Sequence, residues 1–183
     1  MKAMKLSRSD AAILVVDIQE RLLPAVSNSE QVLANAVRLV KGAEILNVPV
    51  LVTEQYPKGL GPTVEPIKSV VRGFAPFEKV AFSSCEAAGL MESLKRHGRS
   101  QVVLSGVEAH VCVLQTCLDL LSTGFTVFVA ADAVSSRSPE NLRLALERMQ
   151  SAGATLVSTE MVLFELLGRA GTPEFKQVQA LVK

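Results

Sequence analysis

The stretch Gln101-Val102-Val103-Leu104-Ser105-Gly106-Val107-Glu108-Ala109-His110-Val111-Cys112 decides how this chain folds. Val102, Val103 and Leu104 form a continuous apolar run, the pattern of a strand buried on both faces. Gly106 interrupts the run, and from about residue 110 the apolar residues recur at helical spacing. The unit therefore reads strand, turn, helix, with Cys112 in the first turn of the helix. Unpaired backbone N–H groups and the positive end of the helix dipole lie there, and both favour a thiolate.

The same alternation runs outward in both directions. On the N-terminal side, Ala11–Val16 is an apolar run ended by Asp17, and residues 30–46 carry Val32, Leu33, Ala36, Val37, Val40 and Ala43 along one helical face. Residues 48–53 read as a strand with Pro49 near its start. Residues 55–77 are rich in Gly and Pro and lack a period, which predicts a long functional loop. Residues 86–96 read as a helix. On the C-terminal side come a helix over 112–122 closed by Gly124, and a strand over 126–131 ended by Asp132. Ser138-Pro139 then reads as an N-cap with proline at the first helical position, opening a helix to about residue 152. A strand over 155–158 and a helix over 160–167 complete the pattern. Continuous apolar strands separated by helices predict an α/β protein: a three-layer α-β-α, Rossmann-like single domain over residues 1–183 with a mostly parallel sheet. Ligands of such sheets bind beyond the carboxyl ends of the strands. Asp17, Asp132 and the 106–112 turn are expected there, and Lys79, just past the long loop, joins them.

The 183 residues suffice for one domain with a full core, and 49% of them are hydrophobic, which argues against disorder. The formal net charge is +1 with Lys and Arg scattered, so neither nucleic acid nor an anionic membrane is expected as a partner. No apolar run approaches about 18 residues, so no transmembrane helix is expected. Residues 1–10 are polar and lack an apolar signal core. Three cysteines without a disulfide-framework spacing fit a reducing cytoplasm. No repeat, Gly-x-Gly-x-x-Gly or Walker A motif is present. Met161-Val162-Leu163-Phe164-Glu165-Leu166-Leu167 is apolar nearly all round, which predicts burial under the C-terminal tail or against a neighbouring subunit of a homo-oligomer.

Three residues carry the candidate chemistry, and each has two readings. Asp17, a carboxylate at a strand end, either caps the next turn or acts as a general base. Lys79 is either a solvated lysine beside Glu78 or a buried cation. Cys112 is either a nucleophile or a small packing residue. Cys117 sits among Leu114, Leu118 and Leu121 and reads as packing, and Cys85 reads as a semi-exposed bystander. His110 lies two residues before Cys112, but a helix start does not readily turn both side chains toward each other. His97 and His110 form no metal-ligand pair, and Cys112 and Cys117 lack Cys-x-x-Cys spacing, so neither metal nor cofactor is expected.

Read together, Val15-Val16-Asp17-Ile18-Gln19, Lys79-Val80-Ala81-Phe82-Ser83 and Gly106 to Cys112 resemble the isochorismatase-like cysteine hydrolases, the superfamily that includes nicotinamidases and N-carbamoylsarcosine amidases. Thr53-Glu54-Gln55-Tyr56-Pro57-Lys58-Gly59-Leu60-Gly61 and Glu108 to Thr116 are similar to the isochorismatase-domain-containing hydrolases of unassigned substrate. The resemblance implies an Asp17–Lys79–Cys112 triad in which Lys79 and the helix start lower the thiol pKa and Asp17 takes its proton. It implies a cis Val107–Glu108 peptide and an oxyanion hole of the Glu108 and Cys112 backbone N–H groups. It puts Gln19, Tyr56, Phe82 and His110 around a pocket for a small-molecule substrate. The metal-binding histidines of nicotinamidases have no counterpart in Thr53 to Lys58, which implies a metal-independent reaction. Isochorismatases proper lack the cysteine, so Cys112 implies amide-type C–N cleavage instead. The alternative is a catalytically weak relative that serves as a binding or scaffolding module.

Overall fold

The computed structural model describes residues 5–183. Strand β1 (Ala11–Val16) leads to helix α1 (Ser29–Ile45), β2 (Val50–Gln55), the one-turn helices α2 (Pro57–Leu60) and α3 (Glu65–Lys68), and β3 (Phe77–Lys79). Helix α4 (Leu90–Arg96), β4 (Gln101–Val107), α5 (Leu114–Ser122), β5 (Thr126–Ser135) and α6 (Pro139–Ser151) follow. The chain ends with β6 (Thr155–Val157), α7 (Thr159–Leu167) and α8 (Pro173–Leu181). All strands pair in parallel, in the order β3-β2-β1-β4-β5-β6, within one α/β domain.

The two-residue period of the strands builds two cores. Ala11, Ile13 and Val15 of β1 face Leu39, Val40 and Ala43 of α1 and Leu163 and Leu166 of α7. Ala12, Leu14 and Val16 face Leu90 and Leu94 of α4, Cys117 and Leu120 of α5, and Met149 of α6. Each large aliphatic side chain so buried stabilises the fold by about 1.5–3 kcal/mol. Ser138 caps α6 by accepting from Asn141 N, with Pro139 in the first turn.

Several boundaries differ from the sequence expectation for local reasons. Strand β2 starts at Val50 because Pro49 has no N–H to give the ladder. Ile13 N instead takes the Pro49 carbonyl, and Val48 N closes the helix before it by bonding Ala43 O. The residues expected as one long loop contain α2 and α3, and Phe77–Lys79 forms the edge strand β3, too short to show a period. The expected helix over 86–96 is a 3-10 turn at Ser84–Glu86 and then α4, separated by Gly89 at φ +85°. Strand β5 does not stop at residue 131: after a register shift it continues to pair with β4 at Gly106↔Val134 and Val107↔Ser135. Helix α8 was not legible as a separate element. It covers part of the apolar α7, placing Val178 in the core with Leu163 and Leu166 and packing Phe175 against it, while Met161 and Phe164 remain exposed.

Asp132 is a further correction. It lies inside β5 rather than at its end, and Oδ1 accepts from Thr159 N (2.8 Å) and Thr159 Oγ1 (3.0 Å), so its carboxylate ties down the start of α7 instead of joining Asp17. Loss of a cap of this kind costs about 1 kcal/mol. Asp132→Ala is therefore expected to lower the unfolding free energy by about that amount in denaturant melts, while the reactivity of Cys112 stays at the wild-type level.

Candidate active site

The strand order reverses direction at β1. The chain builds β2 and β3 on one side of it, then crosses to β4 on the other, which leaves a crevice beyond the carboxyl ends of β1 and β4. Asp17 follows β1, Lys79 ends β3, and Cys112 follows β4, so all three reach this crevice. Gly106 makes the approach possible: at φ +118°, a Cβ there would lie 2.0 Å from Val16 O. Asp17 itself takes the left-handed conformation, φ +52°, which turns its carboxylate out of the strand's alternation. The Val107–Glu108 peptide is cis.

Asp17 and Lys79 form a buried ion pair. Lys79 Nζ lies 2.7 Å from Asp17 Oδ2, and the two side chains are 1% and 0% exposed. Lys79 Nζ also donates to Gln55 Oε1 (2.6 Å) and Phe82 O (2.9 Å), so its charge is fully hydrogen-bonded. Thr53 Oγ1 donates to the other carboxylate oxygen, Asp17 Oδ1, at 2.7 Å. The readings of Asp17 as a mere cap and of Lys79 as a solvated lysine are thereby excluded.

Cys112 lies over this pair, with Sγ 3.9 Å from Gln55 Oε1. It sits in a π turn, Ala109–Val113, and α5 begins only at Leu114, so Cys112 lies two residues short of the α-helix expected for it. Glu108 O takes bonds from both Val111 N and Val113 N, which widens the turn. The thiol is pushed up to about 12, by burial first and the Asp17 charge second, against a smaller opposing pull from Lys79. The resting thiol is thus protonated at neutral pH, and the expected lowering of its pKa is not found. Burial and the Asp17 charge together outweigh the lysine.

Cys112 lines a cleft of about 320 Å³ whose walls include Leu22, Leu60, Phe82 and Val111, with Gln55, Glu108 and Arg137 as its polar members. Of the four expected pocket residues, Phe82 alone is in this cleft, 52% exposed. Gln19 lies behind it, fully buried: Oε1 accepts from Gln55 N (2.7 Å), and Nε2 donates to Gln55 O (3.0 Å) and Gly61 O (2.6 Å). It clamps the end of β2 and cannot touch a substrate. Tyr56 lines an adjoining cleft with Lys58, Glu78 and Val80. His110 turns to Ser136, with Nδ1 2.9 Å from its Oγ, and does not pair with Cys112. Cys117 is buried in the core and Cys85 is half-buried, as their sequence surroundings indicate. Among the described residues, no group of three or more His, Cys, Asp or Glu side chains is placed to hold a metal ion.

Sequence reasoning missed Gln55, Thr53 and the Glu108–Arg137 pair. Arg137 grips Glu108 through Nη2 to Oε1 (2.7 Å), Nε to Oε2 (3.1 Å) and its own backbone N to Oε2 (2.9 Å). Burial works against ionisation of Glu108, but these bonds outweigh it and hold the carboxyl below the usual carboxylate range. Thr53, Gln55 and Arg137 stand at or just past the carboxyl ends of β2 and β5, so the rule that singled out Asp17 extends to them.

The α/β fold thus sets a buried Asp–Lys pair beneath a cysteine in a small cleft at a topological switch point. The Isochorismatase domain model matches residues 11–161, and the chain belongs to the isochorismatase family of hydrolases. It is 41% identical over 179 residues to isochorismatase domain-containing protein 2 of Danio rerio, covering 97% of this chain and 89% of that protein. It is also 41% identical to the secreted isochorismatase effector Isc1 of Phytophthora sojae, over 94% of this chain and 84% of the effector. Among solved structures, the MAR1 ribonuclease of Caenorhabditis elegans superposes with a TM-score of 0.93 at 40% identity, covering 98% of this chain and 92% of the other. YcaC from Pseudomonas aeruginosa, solved with hexane-2,5-diol and covalent acrylamide, gives 0.91 at 28% identity, covering 99% and 93%. The Escherichia coli YcaC gene product, an octameric hydrolase of unknown specificity, gives 0.89 at 26% identity, covering 100% and 89%.

The position of the thiol over the ion pair has a measurable signature. In wild-type protein, the rate of Cys112 alkylation is expected to keep climbing above pH 10, where an ordinary thiol is already fully ionised. Asp17→Asn removes the charge that raises the thiol and should move the profile to lower pH. Lys79→Met removes the opposing cation and should move it higher. Lys79→Met also leaves Asp17 buried without its cation and should cost about 3–5 kcal/mol in denaturant unfolding. A Lys79→Met profile at lower pH than wild type would reverse the assignment.

Proposed function

We propose that this protein is a metal-independent cysteine hydrolase that cleaves an amide-type C–N bond of a small molecule, with Asp17, Lys79 and Cys112 as its triad. The observation that carries the reading is the cysteine at the floor of a cleft, directly over a buried carboxylate–lysine pair. A thiol held protonated at rest needs a base at the moment of attack, and Asp17 is the carboxylate beside it. Asp17 takes the Sγ proton as sulfur attacks the carbonyl carbon. The C–N bond then breaks, the proton passes from Asp17 to the leaving nitrogen, and ammonia or an amine departs. Asp17 next takes a proton from water, whose oxygen attacks the thioester. The carboxylic acid leaves and the proton returns to the cysteine sulfur.

Lys79 holds Asp17 in place and offsets its charge. The backbone N–H groups of Glu108 and Cys112 serve as the oxyanion donors. The Pseudomonas relative was solved with covalent acrylamide, so that protein reacts with a small neutral amide that is also an electrophile, which supports the reading. The neighbour from Caenorhabditis elegans is called a ribonuclease. In this chain the cation in the cleft wall, Arg137, is already paired with Glu108, and the formal net charge is only +1, which supports a small molecule over a polyanion. Homo-oligomerisation, in line with the octameric relative and the exposed Met161 and Phe164, and a cytoplasmic place of work, in line with the free cysteines, complete the proposal.

A mass-spectrometric screen of small amides for acyl adducts at Cys112 tests it. Cys112→Ala is expected to abolish turnover of any hit with a stability loss of about 1 kcal/mol, because only one sulfur atom leaves the cleft floor. Asp17→Asn should abolish turnover with Cys112 intact. Exhaustive dialysis against a chelator should leave the rate unchanged. Full activity in Cys112→Ala would end the cysteine mechanism, and zinc-restorable loss on dialysis would end its metal independence.

A further inference from the structure

We infer that the Glu108–Arg137 pair sets the substrate class of this cleft, making it selective for small uncharged amides with an apolar body and closing it to carboxylates and other anions. The inference rests on the proposed cysteine hydrolase site and names its substrate class. It starts from the cleft wall, where Leu22, Leu60, Phe82 and Val111 supply apolar surface. Every charge in or beneath that wall is paired. Lys79 is spent on Asp17, and Arg137 is spent on Glu108 through both its side chain and its backbone N–H.

An anion entering this space loses water and meets no unpaired cation. It also approaches two carboxylates, Asp17 and Glu108. Burying an ion without a partner is far more costly than burying a neutral amide, which needs only a few hydrogen bonds. The site retains donors for such a ligand. Arg137 Nη1 has no hydrogen-bond partner among the described residues, because Nε and Nη2 face Glu108. It is the side-chain donor that the pair leaves available for one carbonyl or hydroxyl oxygen of a ligand. The adjoining cleft adds Lys58 and Glu78, one charge of each sign, and leaves the balance unchanged.

Iodoacetamide and iodoacetate make a matched neutral and anionic pair of probes. Their alkylation rates at Cys112, read by mass spectrometry at fixed pH and low salt, give a ratio that is divided by the same ratio for 2-mercaptoethanol. For wild-type protein the normalised preference for iodoacetamide is expected to be about tenfold or more. Glu108→Gln frees the Arg137 charge and should lower the preference by about tenfold. Arg137→Gln leaves the Glu108 charge unpaired and should raise it. A merely structural pair would move both variants the same way. Glu108 is nearly buried while the Arg137 side chain is 64% exposed, so if Glu108→Gln fails to fold, Arg137→Gln decides alone. A wild-type preference no greater than that of mercaptoethanol, or an Arg137→Gln preference at or below wild type, overturns the inference. Amide turnover tests the nucleophile, and the ratio tests the pocket. Absence of turnover with the expected ratio would remove the hydrolase and keep the selectivity.

Discussion

The ion pair between Asp17 and Lys79 is the constraint around which the site is arranged. Two charges removed from water need each other and need their remaining hydrogen-bonding capacity filled. The surrounding chain does this completely. Thr53 fills the second carboxylate oxygen, Gln55 takes one ammonium proton, and the backbone carbonyl of Phe82 takes another. These partners come from the end of β2 and from the loop after β3. The pair therefore joins three strand ends that the sheet ladder alone would leave free. Gln19, clamped on both backbone groups of Gln55, then holds that glutamine against Lys79.

In the proposed mechanism, the same pair lets a buried cysteine act as the nucleophile without being ionised at rest. Burial and Asp17 keep the proton on sulfur at rest. In the proposed reaction, the charge that raises the thiol pKa is also the base that removes the proton. Ionisation is then deferred until a carbonyl carbon is present to take the sulfur's electrons. Such a thiol is protected from casual oxidation and alkylation, since the thiolate is the reactive form.

The buried carboxylate of the cleft wall, Glu108, follows the same rule with a different result. Its cation comes from Arg137, just past β5, and stays at the surface of the cleft rather than beneath it. One carboxylate–cation pair thus lies under the thiol and the other lies in the wall beside it. Together they leave a cleft with strong local dipoles and no net charge, which is the physical basis of its inferred selectivity.

The sequence by itself determined the layer architecture, because continuous apolar strands separated by amphipathic helices have few other ways to bury both faces of a sheet. It also marked Asp17, a polar residue directly after an apolar strand, whereas Lys79 and Cys112 joined it only through the resemblance of their motifs. It misplaced Asp132, which looks the same as Asp17 in sequence but lies inside β5 because that strand continues past a register shift. The resemblance put Gln19, Tyr56 and His110 around one pocket with Phe82, but Gln19 is turned inward onto Gln55, His110 turns to Ser136 and Tyr56 lines a second cleft, because the direction a side chain takes is set by partners far away in the chain. Tertiary structure alone decided that Gln55 and Thr53 serve the ion pair, that Glu108 meets Arg137 across 29 residues of chain, and that burial and Asp17 raise the Cys112 thiol. Each of these depends on distances between segments far apart in the chain, and desolvation depends on everything packed around a group.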